Sequence, residues 1–183
     1  MGGIMQKKEI VAGDILFAER ALDGSYFENR VILIANSTED DGCFGFVLNA
    51  PARLPIREVF SPVPTGVVSA SRQFFLGGPV DEDELFMLEL GSEEQNRGGE
   101  EITKNVYFGG FWQEIEELLD APEDQLLLFL GYAGWAAGQL EDELAEGSWS
   151  KYTGLNVAHL LALFQQKKTL DRKEIMQYFT LCR

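Results

Sequence analysis

The sequence predicts a mixed α/β (α+β) fold: a mixed β-sheet flanked by helices, with a helical C-terminus. Three observations predict it. Short apolar runs of β character recur through the first two thirds of the chain. Helical spacing of three and four appears between them, at residues 110–120 and 135–146. Two further helical patterns, at 156–166 and 171–181, close the sequence. Strands with helices interspersed and a helical end suit one sheet covered on its faces.

Taken in order, residues 15–18 (I-L-F-A) are the first strand, and Asp23-Gly24 marks a turn. Residues 31–35 (V-I-L-I-A) are apolar on both parities, which predicts a central strand covered on both faces. The cluster N-S-T-E-D-D-G at 36–42 turns the chain, and residues 43–48 (C-F-G-F-V-L) return as the second arm of a hairpin. Asn49-Ala50-Pro51 ends that strand. Residues 56–60 predict a short helix closed before Pro62, and 61–71 an irregular surface loop. Residues 73–76 are a strand stopped by Gly77-Gly78-Pro79. A strand at 85–90 (L-F-M-L-E-L), a polar hairpin loop at 91–99 and one returning strand at 101–108 follow.

Residues 110–120 place Phe111, Ile115, Leu118 and Leu119 on one helical face. The apolar run 125–130 (Q-L-L-L-F-L) reads as a strand. Gly131 and Gly134 after it predict a sharp reversal into a helix from Trp135 to Glu146. Gly134 and Gly138, four apart, predict close approach to another backbone. In the next helix Val157, Leu160, Leu161 and Phe164 point inward. The last opens on a D-x-x-E capping box at Asp171 and Glu174.

Composition bounds the function classes. A length of 183 residues with 45% hydrophobic content suits a single domain over 1–183 with a sizeable core. The net charge of -15 opposes direct duplex DNA binding, whose affinity comes largely from neutralising phosphates. The one short basic segment is Q-Q-K-K-T-L-D-R-K at 165–173. Cys43 and Cys182 form no C-x-x-C pair, which predicts reduced cysteines and a cytoplasmic location. No window approaches the ~18 consecutive apolar residues of a membrane helix. The start, M-G-G-I-M-Q-K-K, lacks the apolar run of a signal peptide, and Gln6 stands where a myristoylation signal requires Ser or Thr.

No cofactor or metal set is spelled. G-x-x-x-x-G-K-[ST], G-x-G-x-x-G and G-x-S-x-G are all absent. The single histidine, His159, lies among Val157, Leu160 and Leu161, as a structural or exposed residue does. Cys43 has no basic neighbour in sequence to lower its pKa. Gly77-Gly78 reads either as a backbone nest for an anion or as a strand-ending turn. Tyr132, Trp135 and Trp149 line a ligand pocket with Asn49 if two strand ends meet, and are core otherwise. Gln139 and Glu143, like Asp142 and Glu146, are i, i+4 pairs on an acidic helix whose bland reading is a solvated face.

Five segments occur in order: G-D-I-L-F-A, F-E-N-R-V-I-L-I, G-F-V-L-N-A-P, F-L-G-G-P-V and G-Y-A-G-W-A-A-G-Q-L-E-D-E-L. Together, over residues 13–149, they resemble the YqgE/AlgH family of bacterial proteins. The resemblance implies a soluble protein with a mixed α/β fold, a sheet flanked by helices and a small appended α+β part. It implies no enzyme activity; members are labelled transcriptional regulators. Glu143 matches a family position, which implies a capping or ion-pair role, with Arg30 or Arg53 as partner. Beyond Trp149 the resemblance weakens, since Tyr178-Phe179 stands where the family has a further tryptophan. The functional expectation is a non-enzymatic binding or regulatory module acting through a protein partner or small ligand. Candidate contacts are Asn49, Gly77, Gly78, Tyr132, Trp135, Gln139 and Glu143. The alternatives are a small-molecule enzyme or ligand-dependent protein using the G-Y-A-G-W region, and a transcriptional regulator.

Overall fold

The computed structural model describes residues 9–62, 66–67, 70–166 and 170–183. The expectations for the N-terminal segment, and for parts of the 61–71 loop and the basic segment, fall outside those residues. The strands are β1 (Ile15–Ala18), β2 (Val31–Thr38), β3 (Gly42–Val47), β4 (Pro51–Pro55), β5 (Ser71–Leu76), β6 (Val80–Leu90), β7 (Glu100–Thr103), β8 (Val106–Phe108), β9 (Leu126–Trp135) and β10 (Trp149–Tyr152). The helices are α1 (Ile56–Val59), α2 (Ile115–Asp120), α3 (Gln139–Ala145), α4 (Val157–Gln166) and α5 (Arg172–Leu181).

All ten strands join one mixed sheet, with order β10-β1-β2-β3-β9-β6-β8-β7; β4 pairs β5, and β5 pairs β9 in parallel. The expected hairpin is present: β2 and β3 pair antiparallel around a turn at 39–41, with Thr38 opposite Gly42. Alternation explains why these strands are apolar on both parities. Val31, Leu33 and Ala35 join Ile15 and Phe17 in a core covered by Leu160 and Phe164 of α4 and Phe179 of α5. Ile32 and Ile34 join Leu16 on the opposite face, where Leu140 of α3 and the indoles of Trp135 and Trp149 pack. A third core, with Ile56 of α1 and Leu118 and Leu119 of α2, covers Phe74 and Leu128. The Asp171–Glu174 capping box of α5 forms as expected.

Strand β9 holds the sheet together. Its first half runs between β5 and β6, and its second half pairs β3 with Cys43 opposite Trp135. The predicted reversal at Gly131 and Gly134 is therefore replaced by a continuous strand. Gly131 (φ +69°) absorbs a bulge in which the β6 register jumps from Val80–Tyr132 to Leu85–Leu130. The helix begins at Gln139, not Trp135. Gly138 (φ +81°) meets no atom within 4 Å of where a Cβ would sit, so its role is conformational and not the close packing expected of it.

Two more expectations change. Residues 101–108 form two strands, β7 and β8, turning at Asn105 (φ +63°), and β8 is the one that pairs β6. The 110–120 helix shrinks to α2, because Gly109 (φ +82°) and Gly110 (φ +109°) break the chain before it; Phe111 is left 71% exposed. Two strands were not foreseen. β4 begins at Pro51, directly after the strand end expected there, at a position where β4 has only β5 beside it. β10 is a four-residue edge strand of mixed composition, W-S-K-Y.

Candidate functional site

The connection from β9 through α3 to β10 brings the signature side chains together. Trp135 ends β9 facing the α3 side of the sheet, and Trp149 begins β10 on that same side. Between them, Gln139 and Glu143 lie one turn apart on α3. Gly147 (φ +79°) ends the helix in the left-handed conformation, and the Ser148 N–H donates to the Glu143 carbonyl, so the chain turns directly into β10. Both indole N–H groups donate to the same Glu143 oxygen, Oε2, from Trp135 at 2.9 Å and from Trp149 at 2.8 Å. Gln139 Nε2 donates to Oε1 at 2.9 Å, while its own Oε1 accepts from the Ala136 N–H at 3.0 Å. The two indoles meet edge to face, with centroids 5.8 Å apart. Glu143 thus joins two buried tryptophans across the helix. Neither Arg30 nor Arg53 is its partner: Arg30 donates to the Asn49 carbonyl, and Arg53 pairs Glu123.

Beside this cluster lies a groove of about 600 Å³, lined by Asn36, Thr38, Cys43, Phe44, Tyr132 and Trp135 among others. Tyr132 is half-buried and stacks edge-on against Phe44 at 5.9 Å. Burial pushes the Cys43 thiol up to about 12, and the carboxylates of Glu141 and Glu143 push it in the same direction. It is a thiol at neutral pH and not a ready nucleophile.

The remaining sequence candidates separate from this group. Asn49 lies four residues past Gly45, the last β3 residue paired with β9, which is roughly 13 Å along a strand. Its Oδ1 accepts from the Val31 N–H at 2.9 Å and its Nδ2 donates to the Asn29 carbonyl, so it staples two chain segments. It borders a different cleft, with Tyr26 and Arg30. The Gly77 N–H donates to the Leu130 carbonyl, and the Gly77 carbonyl accepts from Val47. A Cβ on Gly78 would come within 2.1 Å of the Tyr132 backbone. The glycine pair therefore serves close strand packing and the turn. His159 is exposed on α4. Among the described residues no group of three or more metal-ligating side chains converges, and no helix is long and apolar enough to cross a membrane.

Sequence reasoning missed a second cleft, of about 550 Å³, between the end of β6, the 91–97 loop and α2. Glu89 is 7% exposed there. Its Oε2 accepts the Arg97 backbone N–H at 3.1 Å, whereas its Oε1 is buried with no hydrogen-bond partner among the described residues. Trp112 lines the same cleft, and its buried indole Nε1–H is likewise unpartnered. The Arg97 guanidinium lies 3.9 Å over the Trp112 ring and pairs Glu117 at 2.6 Å; its Nε is 3.9 Å from Glu89 Oε1, beyond hydrogen-bond length. The one available signal was a carboxylate inside the apolar run L-F-M-L-E-L.

The fold and these clefts define a mixed-sheet α/β protein whose signature residues converge on a buried aromatic–carboxylate cluster. The chain matches the AlgH-like family over residues 15–169, and it belongs to that family. It is 34% identical over 152 residues to a UPF0301 protein of Chlorobium luteolum, covering 81% of this chain and 77% of that one. It is 35% identical over 143 residues to one of Cytophaga hutchinsonii, covering 76% of each. The solution structure of AlgH from Pseudomonas aeruginosa superposes with a TM-score of 0.62 at 25% identity, over 78% of this chain and 77% of that one. A crystal structure from Corynebacterium diphtheriae, at 22% identity and TM-score 0.63 over 84% and 81%, shares the fold.

Proposed function

We propose that this chain is a non-enzymatic binding or regulatory module acting through a protein partner or a small ligand, with the groove beside the Trp135–Glu143–Trp149 cluster as its contact face. The observation that carries this reading is where the signature's polar groups spend their hydrogen bonds. Glu143, Gln139 and both indoles bond to one another and fix the groove wall; none is left facing a vacant reaction centre. The shape of the groove, with Tyr132 half-buried against Phe44, supplies an aromatic surface of the kind recognition uses. The free thiols of Cys43 and Cys182 support a reducing compartment, which we take to be the cytoplasm. The charge of -15 supports a basic or neutral partner over duplex DNA.

The test compares affinity capture and crosslinking from the native host, together with ligand-induced thermal shifts, for the natural chain and two groove variants. Thr38→Arg blocks the exposed rim, and Tyr132→Ala removes the aromatic floor. Loss of one partner or ligand from both variants supports the reading. A captured set unchanged by both variants overturns it. So does a robust turnover that Glu143→Gln abolishes with the fold intact.

A further inference from the structure

A buried acceptor, Glu89 Oε1, and a buried donor, the Trp112 indole N–H, both lack partners among the described residues, within one cleft. Folded proteins leave few such atoms unpaired, because each has given up its bonds to water. Among its described lining residues the cleft sets the carboxylates of Glu89 and Glu117 beside one guanidinium, that of Arg97. Its charge therefore favours a positive guest.

Arg97 shows the form that guest takes. Its guanidinium lies flat over the Trp112 ring and pairs Glu117, so the space between ring and carboxylates fits a planar cation. Yet Arg97 does not complete the site. It stops 3.9 Å from Glu89 Oε1 and, having no acceptor, does nothing for the indole N–H. Its side chain is 40% exposed and its partner Glu117 is 42% exposed, so this is a surface pair, readily exchanged. We infer that the cleft recognises an arginine of a peptide segment, which displaces the Arg97 side chain. The incoming guanidinium donates to Glu89 Oε1 and Glu117, and a backbone carbonyl of the same segment accepts from the Trp112 indole. The carbonyl requirement selects a peptide over a free alkylguanidinium, and the acidic chain draws basic segments toward it. This site is distinct from the groove beside Trp135, so either can fail without the other.

The three indole N–H resonances of the protein, from Trp112, Trp135 and Trp149, make the test direct; Trp112→Phe assigns the first. The uniformly ¹⁵N-labelled chain is titrated with acetyl-Gly-Arg-Gly-amide, and in parallel with butylguanidinium and with acetyl-Gly-Gly-Gly-amide. The expected result is a saturable shift of the Trp112 resonance with the arginine peptide, weaker with butylguanidinium and absent with the glycine peptide. The Trp135 and Trp149 resonances stay in place and report an intact fold. Glu89→Gln and the exposed Glu117→Gln each weaken peptide binding about tenfold, as loss of a charge-assisted hydrogen bond does. Arg97→Ala vacates the seat and tightens binding, also roughly tenfold. No saturable shift would mean that a water satisfies both atoms and would overturn the inference. Peptide binding in both glutamate variants as tight as in the natural chain, or no tightening in Arg97→Ala, would overturn it too. Butylguanidinium binding as tight as the peptide would remove the peptide from the proposal.

Discussion

Replacing Glu143 by alanine removes the acceptor of two indole N–H groups that have nowhere else to turn. Trp135 is 6% exposed and Trp149 3%, so water does not substitute for the carboxylate. Each buried donor left unpaired costs about 1–3 kcal/mol. The Gln139 contact is exposed and adds little. Two indoles therefore set the loss for Glu143→Ala at about 2–6 kcal/mol. At roughly 2–4 °C per kcal/mol for a chain of this size, the melting temperature falls by about 4–24 °C. Glu143→Gln costs less, for a geometric reason. Both indoles use one oxygen, Oε2, which a glutamine carbonyl replaces without charge. Its amide nitrogen then faces Gln139 Nε2, donor against donor. Flipping Gln139 would relieve that contact but strip the Ala136 N–H of its acceptor. About 1–2 kcal/mol is the consequence. Thermal and urea unfolding followed by tryptophan fluorescence measures both variants. An alanine variant melting within ~2 °C of the natural chain, or a glutamine variant less stable than alanine, would refute the reasoning.

Four further outcomes follow from other parts of the molecule. Gly78→Ala drives a Cβ into the Tyr132 backbone and should cost at least ~3 kcal/mol in chemical denaturation; a variant of natural stability would show that the β5–β6 connection and β9 approach less closely. Cys43, with its thiol raised to about 12, should alkylate roughly a thousandfold more slowly than a free cysteine at pH 8, gaining with each pH unit above that; iodoacetamide labelling read by mass spectrometry checks this, and labelling at the free-thiol rate counts against it. Lys151→Met leaves the fully buried Asp14 carboxylate without its 2.9 Å ion pair and should cost about 3–5 kcal/mol, with Asp14→Asn recovering part of it in the double variant; additive losses would deny the coupling. For Glu123, burial raises the carboxyl, but the Arg53 and Gln73 hydrogen bonds and the charges of Arg53 and Arg72 outweigh it and hold the carboxyl below its usual value. Its stabilisation is therefore present above about pH 4.3 and lost as pH falls through the depressed folded value. The gap between the natural chain and Glu123→Gln should close on acidification, and a gap constant from pH 7 to pH 3 would disprove it.

The fold was legible wherever one residue pattern had one physical outcome. Residues 31–35 are apolar on both parities because both faces are covered, and the hairpin with 43–48 follows from the turn cluster between them. The helices 157–166 and 172–181 carry a clean apolar stripe and a capping box. Legibility failed where glycine had two uses. Gly131 was read as a reversal, but the same left-handed conformation also accommodates a bulge inside a continuing strand. The choice depends on β6, whose Val80 pairs Tyr132 from 52 residues earlier in the chain, which no local window contains. Gly138 was read as a packing contact, while its open surroundings show that only its dihedral matters. Strand β10 escaped because W-S-K-Y alternates too briefly to differ from a loop, and its pairing with β1 is a long-range event.

The site divides along a similar line. Gln139 and Glu143 were visible as an i, i+4 pair in one segment with Trp135, although Trp135 was expected in the helix and ends strand β9 instead. That Trp149 completes them required knowing that Gly147 turns the chain back into a strand beside β1. Asn49 was grouped with them on the supposition that two strand ends meet, and the antiparallel register of β3 against β9 sends it the other way. The Glu89 cleft lies at the far limit of such reasoning. A missing hydrogen bond has no residue pattern: it is a property of what several distant segments fail to provide. Glu89 in an apolar strand marks a buried carboxylate, but its unpaired oxygen emerges only once Arg97, Trp112 and α2 are in place around it. Fold signals come from the bonds a segment makes, and recognition signals from the bonds it leaves open. A sequence records the first kind locally and the second only through the assembled structure.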